Sequence, residues 1–422
     1  MSEWRDVPLR DLCDSVQYGL TASASDEGAD GPQLLRITDI VPPRIDWKAV
    51  PVCDASGTAT NKYQLRSGDI VVARTGATVG HAKYLDHPPS RAVFASYLVR
   101  FQVGRGADPA YVGHIVQSAA YKQFVLAHAG GAAQPNANAK TLGAFPVPLP
   151  SLSTQRRIAA LLSAFDELIE INERRIELLE DLARSLYREW FVRFRFPGHE
   201  AVEFVDSQLG RVPSGWPVKP TREVLNPIGG GTPSKKRSDF WEGGQIDWFT
   251  PSDLTKAETR YLAESQSRIT ALGLANSSAR LFPAGSVLMT SRATLGVLGI
   301  AATEASCNQG FIVIPPVAGM PAEFIFEWLA TQDGALESIA TGATFKEITK
   351  TAFAGFPFLL PPREVLARFE EAIVPIGRQL GLFEETIRAL ATTRDLLLPR
   401  LVTGRLEISD IDLGELLPPE PA

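Results

Sequence analysis

GDIVVARTGATVG, Gly68 to Gly80, and GSVLMTSRATLG, Gly285 to Gly296, are two versions of one phrase in a chain of 422 residues. Each is a short apolar run opened by a glycine and closed by a polar Arg/Thr/Gly stretch, the pattern of a buried strand that delivers a loop. Thr78 and Thr294 are 216 positions apart, as are Gly80 and Gly296. Further out, Trp4 of WRDVPLRDL and Trp216 of WPVKPTREVL are 212 apart, and Phe145 of AFPVPLP and Phe356 of GFPFLLP are 211 apart. Ile176, Leu179 and Leu186 meet Ile387, Leu390 and Leu397 at the same 211. Separate markers that keep one offset within five residues identify a duplicated unit of about two hundred residues.

Each unit divides into a mixed α/β head and a long helix. The heads span 1–150 and 216–361, the helices 151–196 and 362–405, with a connector at 197–215 and a tail at 406–422. Proline-rich stops announce the helices (Pro146, Pro148 and Pro150; Pro357, Pro361 and Pro362), and Ser153 is the expected N-cap of the first. Apolar residues then recur in steps of three and four. The first stripe is Ile158, Leu162, Phe165, Ile169, Asn172, Ile176, Leu179, Ala183 and Leu186. The second is Leu366, Phe369, Ile373, Ile376, Leu380, Phe383, Ile387 and Leu390, continued by Arg394 and Leu397. This is the heptad of a coiled coil. Asn172 either sets the register as a buried polar residue or sits at the edge of the seam. Pro375 predicts a kink or break in the second helix, and Gly377 and Gly381 weaken the same stretch. The expected fold class is α+β: two pseudo-repeated α/β heads separated by two long helices that form an antiparallel coiled coil. Such pairing predicts two heads at opposite ends of a rod, suited to two half-sites on a duplex.

Composition excludes several classes. Hydrophobic residues make up 45% and charged residues 21%, ordinary for a globular protein. No apolar run approaches a membrane span, and MSEWRDVPLRDL lacks the pattern of a secretion signal, so a cytoplasmic protein that engages no membrane is expected. Cys13, Cys53 and Cys307 are too dispersed for a disulfide framework or a zinc site, and His81, His87, His114, His128 and His199 show no ligand spacing. No metal is assigned. The net charge is −6, but Glu407, Asp410, Asp412, Glu415 and Glu420 lie in the tail, and without them the balance is −1. A neutral protein can bind DNA through local basic faces, with partners supplying further phosphate contacts.

The segments YGLTASA (Tyr18 to Ala24), LLRITDI (Leu34 to Ile40), GDIVVARTGATVG, FASYLVR (Phe94 to Arg100) and GAAQPNANAKTL (Gly131 to Leu142) resemble the specificity subunits of type I restriction–modification systems. So do PLPSLSTQRRIAALLSAFDELIEINERRI (Pro148 to Ile176), GGTPSKKRSDFWEGGQIDWFTPSDL (Gly230 to Leu254) and RDLLLPRLVTGRL (Arg394 to Leu406). The resemblance extends from Trp4 to about Leu406 and implies that the heads are target-recognition domains. It further implies a non-catalytic subunit that reads a bipartite, gapped sequence in double-stranded DNA. Two adenine-N6 methyltransferase subunits and motor-nuclease subunits would join it. S-adenosylmethionine, ATP and magnesium would reside on those partners, with no cofactor on this chain.

The candidate DNA contacts follow the loops. Arg74 and Arg292 end the apolar strands at what read as matching places, where an arginine can grip guanine or phosphate. Thr75, Gly76, Thr78, Ser291 and Thr294 offer small donors beside them. Arg292-Ala293-Thr294 lacks the extra glycine of Arg74-Thr75-Gly76-Ala77-Thr78, so the two half-sites are expected to differ. Gln134, Asn136, Asn138 and Lys140 lie in a non-periodic stretch whose counterpart contains Thr344 and Lys346. Thr232, Ser234, Lys235, Lys236 and Arg237 form a basic glycine-led loop suited to a phosphate backbone. Tyr18, Thr21, Arg36 and Lys83 complete the set, while Trp241 and Trp248 read as core or loop anchors. No Walker A sequence, no Asn/Asp-Pro-Pro-aromatic motif and no H-E-x-x-H occurs, which speaks for a non-enzyme. Two other readings stay open. One is the recognition subunit of a related system whose partner fuses methylation and cleavage. The other is a two-headed coiled-coil scaffold that does not bind DNA.

Overall fold

The computed structural model describes residues 4–25, 31–54, 58–130, 135–257, 259–292, 294–342 and 346–408. Gln134, Thr344 and the tail acids from Asp410 onward lie outside them. The chain forms two units, Met1–Ile171 with Ile387–Ala422, and Asn172–Thr386. Among the described residues, no helix is long and apolar enough to cross a membrane.

In the first unit Asp69–Ala73 forms a strand buried along its whole length, as its β-branched run demands. It pairs antiparallel with Leu98–Val103 on one side and Ala82–Leu85 on the other, and Cys13–Tyr18 extends the sheet beyond Leu98–Val103. A second four-stranded sheet joins Ala24–Ser25, Val52–Cys53, Gln33–Leu35 and Ala92–Phe94, the last two in parallel. Arg5–Pro8 against Pro146–Leu149 closes the head. Inside it Arg100 and Asp69, both nearly inaccessible, pair at 3.3 Å, and the other Asp69 oxygen accepts from Gln102 at 3.0 Å.

The second unit repeats the plan. Val287–Thr290 is central in a sheet between Phe311–Ile314 and Leu298–Ala301, and Ile246–Phe249 joins Ser306–Cys307 in parallel. Val218–Pro220 against Pro357–Leu359 closes this head. Equivalent backbone bonds recur in both heads. Leu20 N–H donates to Phe94 O at 2.7 Å, and Gly231 N–H to Cys307 O at 2.9 Å. Asp39 accepts the N–H of Arg36 at 2.7 Å, and Asp253 that of Thr250 at 2.7 Å. A Cβ at Gly19 would sit 2.2 Å from Ala95 O, and one at Gly230 would sit 2.2 Å from Asn308 O, so both copies need glycine for the same close approach.

Leu152–Tyr187 and Arg363–Val402 are the two long helices, of 36 and 40 residues. Every residue of the two heptad stripes is buried or half-buried. In the first unit Ile158 and Leu162 share a core with Leu397 and Leu401, and Asp166 meets Arg394 Nη1 at 2.5 Å. In the second unit Tyr187 and Phe191 pack on Phe369, and the Arg175 guanidinium lies 5.4 Å from the Phe383 ring centre. Within each unit, early residues of one helix meet late residues of the other, so the pairing is antiparallel. Asn172 is only 5% exposed, which places it in the seam and not at its edge.

Two local expectations are corrected. Ser151, not Ser153, caps the first helix, because its Oγ accepts the Thr154 N–H at 3.2 Å. The break expected at Pro375 does not occur: the second helix is continuous through this exposed proline, so the carbonyl deprived of a donor is on the water side. Gly377 has a packing reason. A Cβ there would meet Glu323 Oε1 at 2.3 Å and Tyr261 Oη at 2.6 Å, so the missing side chain lets the head lie against the helix.

Candidate nucleic-acid interface

Arg74 leaves the buried strand Asp69–Ala73 on a frame made by the backbone. Its N–H donates to Tyr97 O at 3.0 Å and its carbonyl accepts from Ala137 N–H at 2.9 Å. Thr75 faces Asn136 across an antiparallel bridge, and Asn136 exchanges two backbone bonds with Gly130, at 3.0 and 2.9 Å. The Arg74 guanidinium lies 4.9 Å from the Tyr18 ring centre and reaches Asn136 Oδ1 at 3.5 Å, the limit of a hydrogen bond. Its Nε is buried and finds no acceptor among the described residues. Tyr18 Oη accepts the Ala139 N–H at 2.9 Å, which ties the ring down. Asn138 caps the next short helix, its Oδ1 accepting from the Thr141 N–H at 2.8 Å and from Thr141 Oγ1 at 3.2 Å, so its amide oxygen is spent on structure. Lys140, exposed, follows it, Thr21 is exposed, and Gly76 donates to Pro135 O at 2.9 Å.

The second head carries the same frame with a register change. Ser291 N–H donates to Gly310 O at 2.8 Å, and Ser291 O accepts from Ile348 N–H at 3.0 Å, the bonds that Arg74 makes in the first head. Arg292 bridges Glu347, and Glu347 exchanges backbone bonds with Thr341 at 2.9 and 2.8 Å, as Asn136 does with Gly130. Arg74 therefore corresponds to Ser291, and Arg292 to Thr75. The arginines stand one residue apart, and in extended chain neighbouring side chains point to opposite faces. They do not occupy matching places, which corrects the sequence alignment of the two. Ser291 is buried, whereas Arg292 and Thr294 are exposed at a cleft of about 380 Å³ with Ser252, Thr255, Asn308 and Gln309. Arg292 Nε donates to Glu347 Oε1 at 2.8 Å.

The remaining candidates are scattered around these frames. Arg36 is held by Asp39 at 3.0 Å, and Lys83 Nζ donates to Pro43 O. Thr78 is half-buried in the turn after Gly76, where its carbonyl accepts from His81 N–H at 2.9 Å. Burial, then the nearby Lys122, hold the His81 imidazole below its ordinary value and keep it neutral at pH 7. Thr232 Oγ1 donates to Gln309 Oε1 at 2.6 Å, which brings the basic loop beside the cleft. Trp248 and Trp241 anchor that loop, donating to Gly231 O at 2.9 Å and Ser234 O at 3.1 Å. Lys235 and Lys236 are exposed on it, while Arg237 is held by Asp239 through two hydrogen bonds. Lys346 is exposed, 3.9 Å from Glu337. Sequence reasoning missed Tyr97, exposed on the Arg74 frame, and Glu347, Asn308 and Gln309 on the second. The signal for Glu347 lay in its place 211 residues after Asn136. The thiols take no part: Cys53 and Cys307 are buried, and burial pushes Cys307, and Cys13 with help from Asp14, up to about 12.

Each head thus presents arginine, amide, hydroxyl or carboxylate groups at the mouth of a backbone-built loop frame, the donor and acceptor set that addresses base edges and phosphates. The chain is similar to known proteins over almost its whole length. It is 32% identical over 205 residues to the specificity subunit of the type I restriction enzyme MjaIX of Methanocaldococcus jannaschii, covering 46% of each chain. It is 23% identical over 424 residues to the putative MjaX specificity subunit of the same organism, covering 96% of this chain and 94% of that one. The crystal structure of a type I restriction–modification S subunit from M. genitalium shares the fold, with a TM-score of 0.59 at 14% identity over 94% of this chain and 96% of that one. The profile of the type I restriction modification DNA specificity domain matches residues 1–181 and again residues 213–378. With both repeats matched, the chain belongs to the family of type I restriction–modification specificity subunits.

Proposed function

We propose that this protein reads a bipartite, gapped sequence in double-stranded DNA, one half-site with each head. The observation that carries the reading is the twin frame. One backbone scaffold presents Arg74, Thr75 and Asn136 in the first head and Arg292 and Glu347 in the second, so two different sets of base-reading groups stand on a common support. The long helices offer the platform for two adenine-N6 methyltransferase subunits and for motor-nuclease subunits. The chemistry belongs to those partners, which would hold S-adenosylmethionine, ATP and magnesium, while this chain selects the DNA and catalyses nothing. Family membership supports that division of labour.

The test is methylation-sensitive sequencing of DNA from cells that express the chain with its methyltransferase partner. One asymmetric gapped motif, modified at adenine on both strands, is the expected result. Failure of the purified complex to retard any DNA in a gel shift would overturn the reading in favour of a scaffold that does not touch DNA.

A further inference from the structure

Resting on the reading of the heads as DNA-reading surfaces, we propose that Glu347 determines specificity in the second head. Its carboxylate accepts from the exocyclic amine of a cytosine, and Arg292 beside it donates to an adjoining guanine. Asn136 and Glu347 hold one position in two copies of one frame. Each exchanges two backbone bonds with a partner six residues upstream, Gly130 or Thr341, and each faces a bridge partner, Thr75 or Arg292. The position is thus built from peptide groups and leaves the side chain free to differ. In the first head it is an amide, with one donor and one acceptor to match the N6 and N7 of adenine. In the second it is a carboxylate that offers acceptors alone.

A carboxylate on a face that approaches a polyanion is repelled unless donors meet it. Arg292 Nε meets Oε1 at 2.8 Å, and among the described residues nothing donates to Oε2. Both side chains are partly open to solvent, 47% for Arg292 and 37% for Glu347. The groove-edge donor that matches Glu is the cytosine N4 amine, and an arginine fork matches guanine O6 and N7. The ion pair therefore presents an acceptor beside donors, complementary to a cytosine next to a guanine. Thr294, Asn308 and Gln309 around the adjoining cleft supply neutral partners for the same stretch of duplex.

The test compares wild type, Glu347→Gln and Glu347→Asn, each assembled with the methyltransferase partner, by selection from randomised DNA and by methylation-sensitive sequencing. Glu347→Gln is expected to lose discrimination at one position of one half-site by roughly 5- to 100-fold and to leave the other half-site unchanged. Glu347→Asn, which installs the side chain of the first head, is expected to shift that position toward adenine. An unchanged ranking of sequences, or a uniform gain in affinity for all DNA, shows a mere surface ion pair and overturns the assignment. So does unfolding of Glu347→Gln, which would make the position structural. If wild type itself ranks no sequence above another, the DNA reading of the heads falls first, and this assignment with it.

Discussion

Arg74 and Arg292 have different surroundings, and their removal should have different consequences. Arg74 is steadied by Tyr18 and Asn136 with its Nε out of water, whereas Arg292 stands exposed against Glu347. Arg74→Ala is expected to weaken binding through the first half-site, and Arg292→Ala through the second, each by about 1–3 kcal/mol if the arginine reads guanine. Binding to DNA containing one intact and one scrambled half-site checks this, and equal loss at both half-sites from either change would sink the assignment. That an arginine follows each strand was legible in the sequence, and so was their mismatch: Gly68 and Gly285 are 217 apart, which pairs Arg74 with Ser291, whereas Arg74 and Arg292 are 218 apart. The slip arises from matching arginine to arginine across loops of unequal length, and the backbone bonds of Ser291 and Glu347 fix the true register. Arg36 and Asn138 show the same limit. Both types suit DNA, and both are engaged locally, by Asp39 and by the Thr141 N–H.

At the scale of elements, the long helices were the most legible part of the chain, because a repeat in steps of three and four survives any uncertainty about single contacts. What fastens a head to a helix was hidden, since it joins residues far apart in sequence. Glu384 on the second helix accepts the N–H groups of both Arg260, at 2.7 Å, and Tyr261, at 3.1 Å, while buried Arg260 meets Glu327 at 2.8 Å. Burial raises the Glu327 carboxyl, and Arg260 opposes that rise. Glu384→Ala strands two backbone donors and should cost about 2–5 kcal/mol, read as a lowered denaturation midpoint. The first unit has a different fastening. His114, nearly inaccessible, lies 3.1 Å from Ser163 Oγ and 3.5 Å from Asp166, which also binds Arg394. Burial lowers the His114 pKa, Asp166 opposes and Arg394 reinforces the lowering, with Asp108 a further opposing charge. The unfolded chain therefore binds a proton that the folded one refuses. This contribution to stability is full above the unfolded value of about 6.5 and declines as pH falls below it. Thermal midpoints measured between pH ~7 and ~5 should drop less steeply in His114→Gln than in wild type, and equal slopes would show that His114 is not the group responsible.

For the molecule as a whole, the duplication organises everything else. The repeat was legible because Trp4, Thr78, Phe145 and Ile176 each have a counterpart at nearly one offset. The heads then prove to share even their minor features, down to the capping aspartates Asp39 and Asp253 and the constrained glycines Gly19 and Gly230. What they do not share is the chemistry at the mouth of the frame. Since the peptide bonds that hold Asn136 and Glu347 make no use of their side chains, point substitution there leaves the supporting fold intact. If the heads read DNA as proposed, a lineage built this way would change its target letter by letter on either side independently, keeping its enzymes while escaping invaders that have learned to avoid the old address.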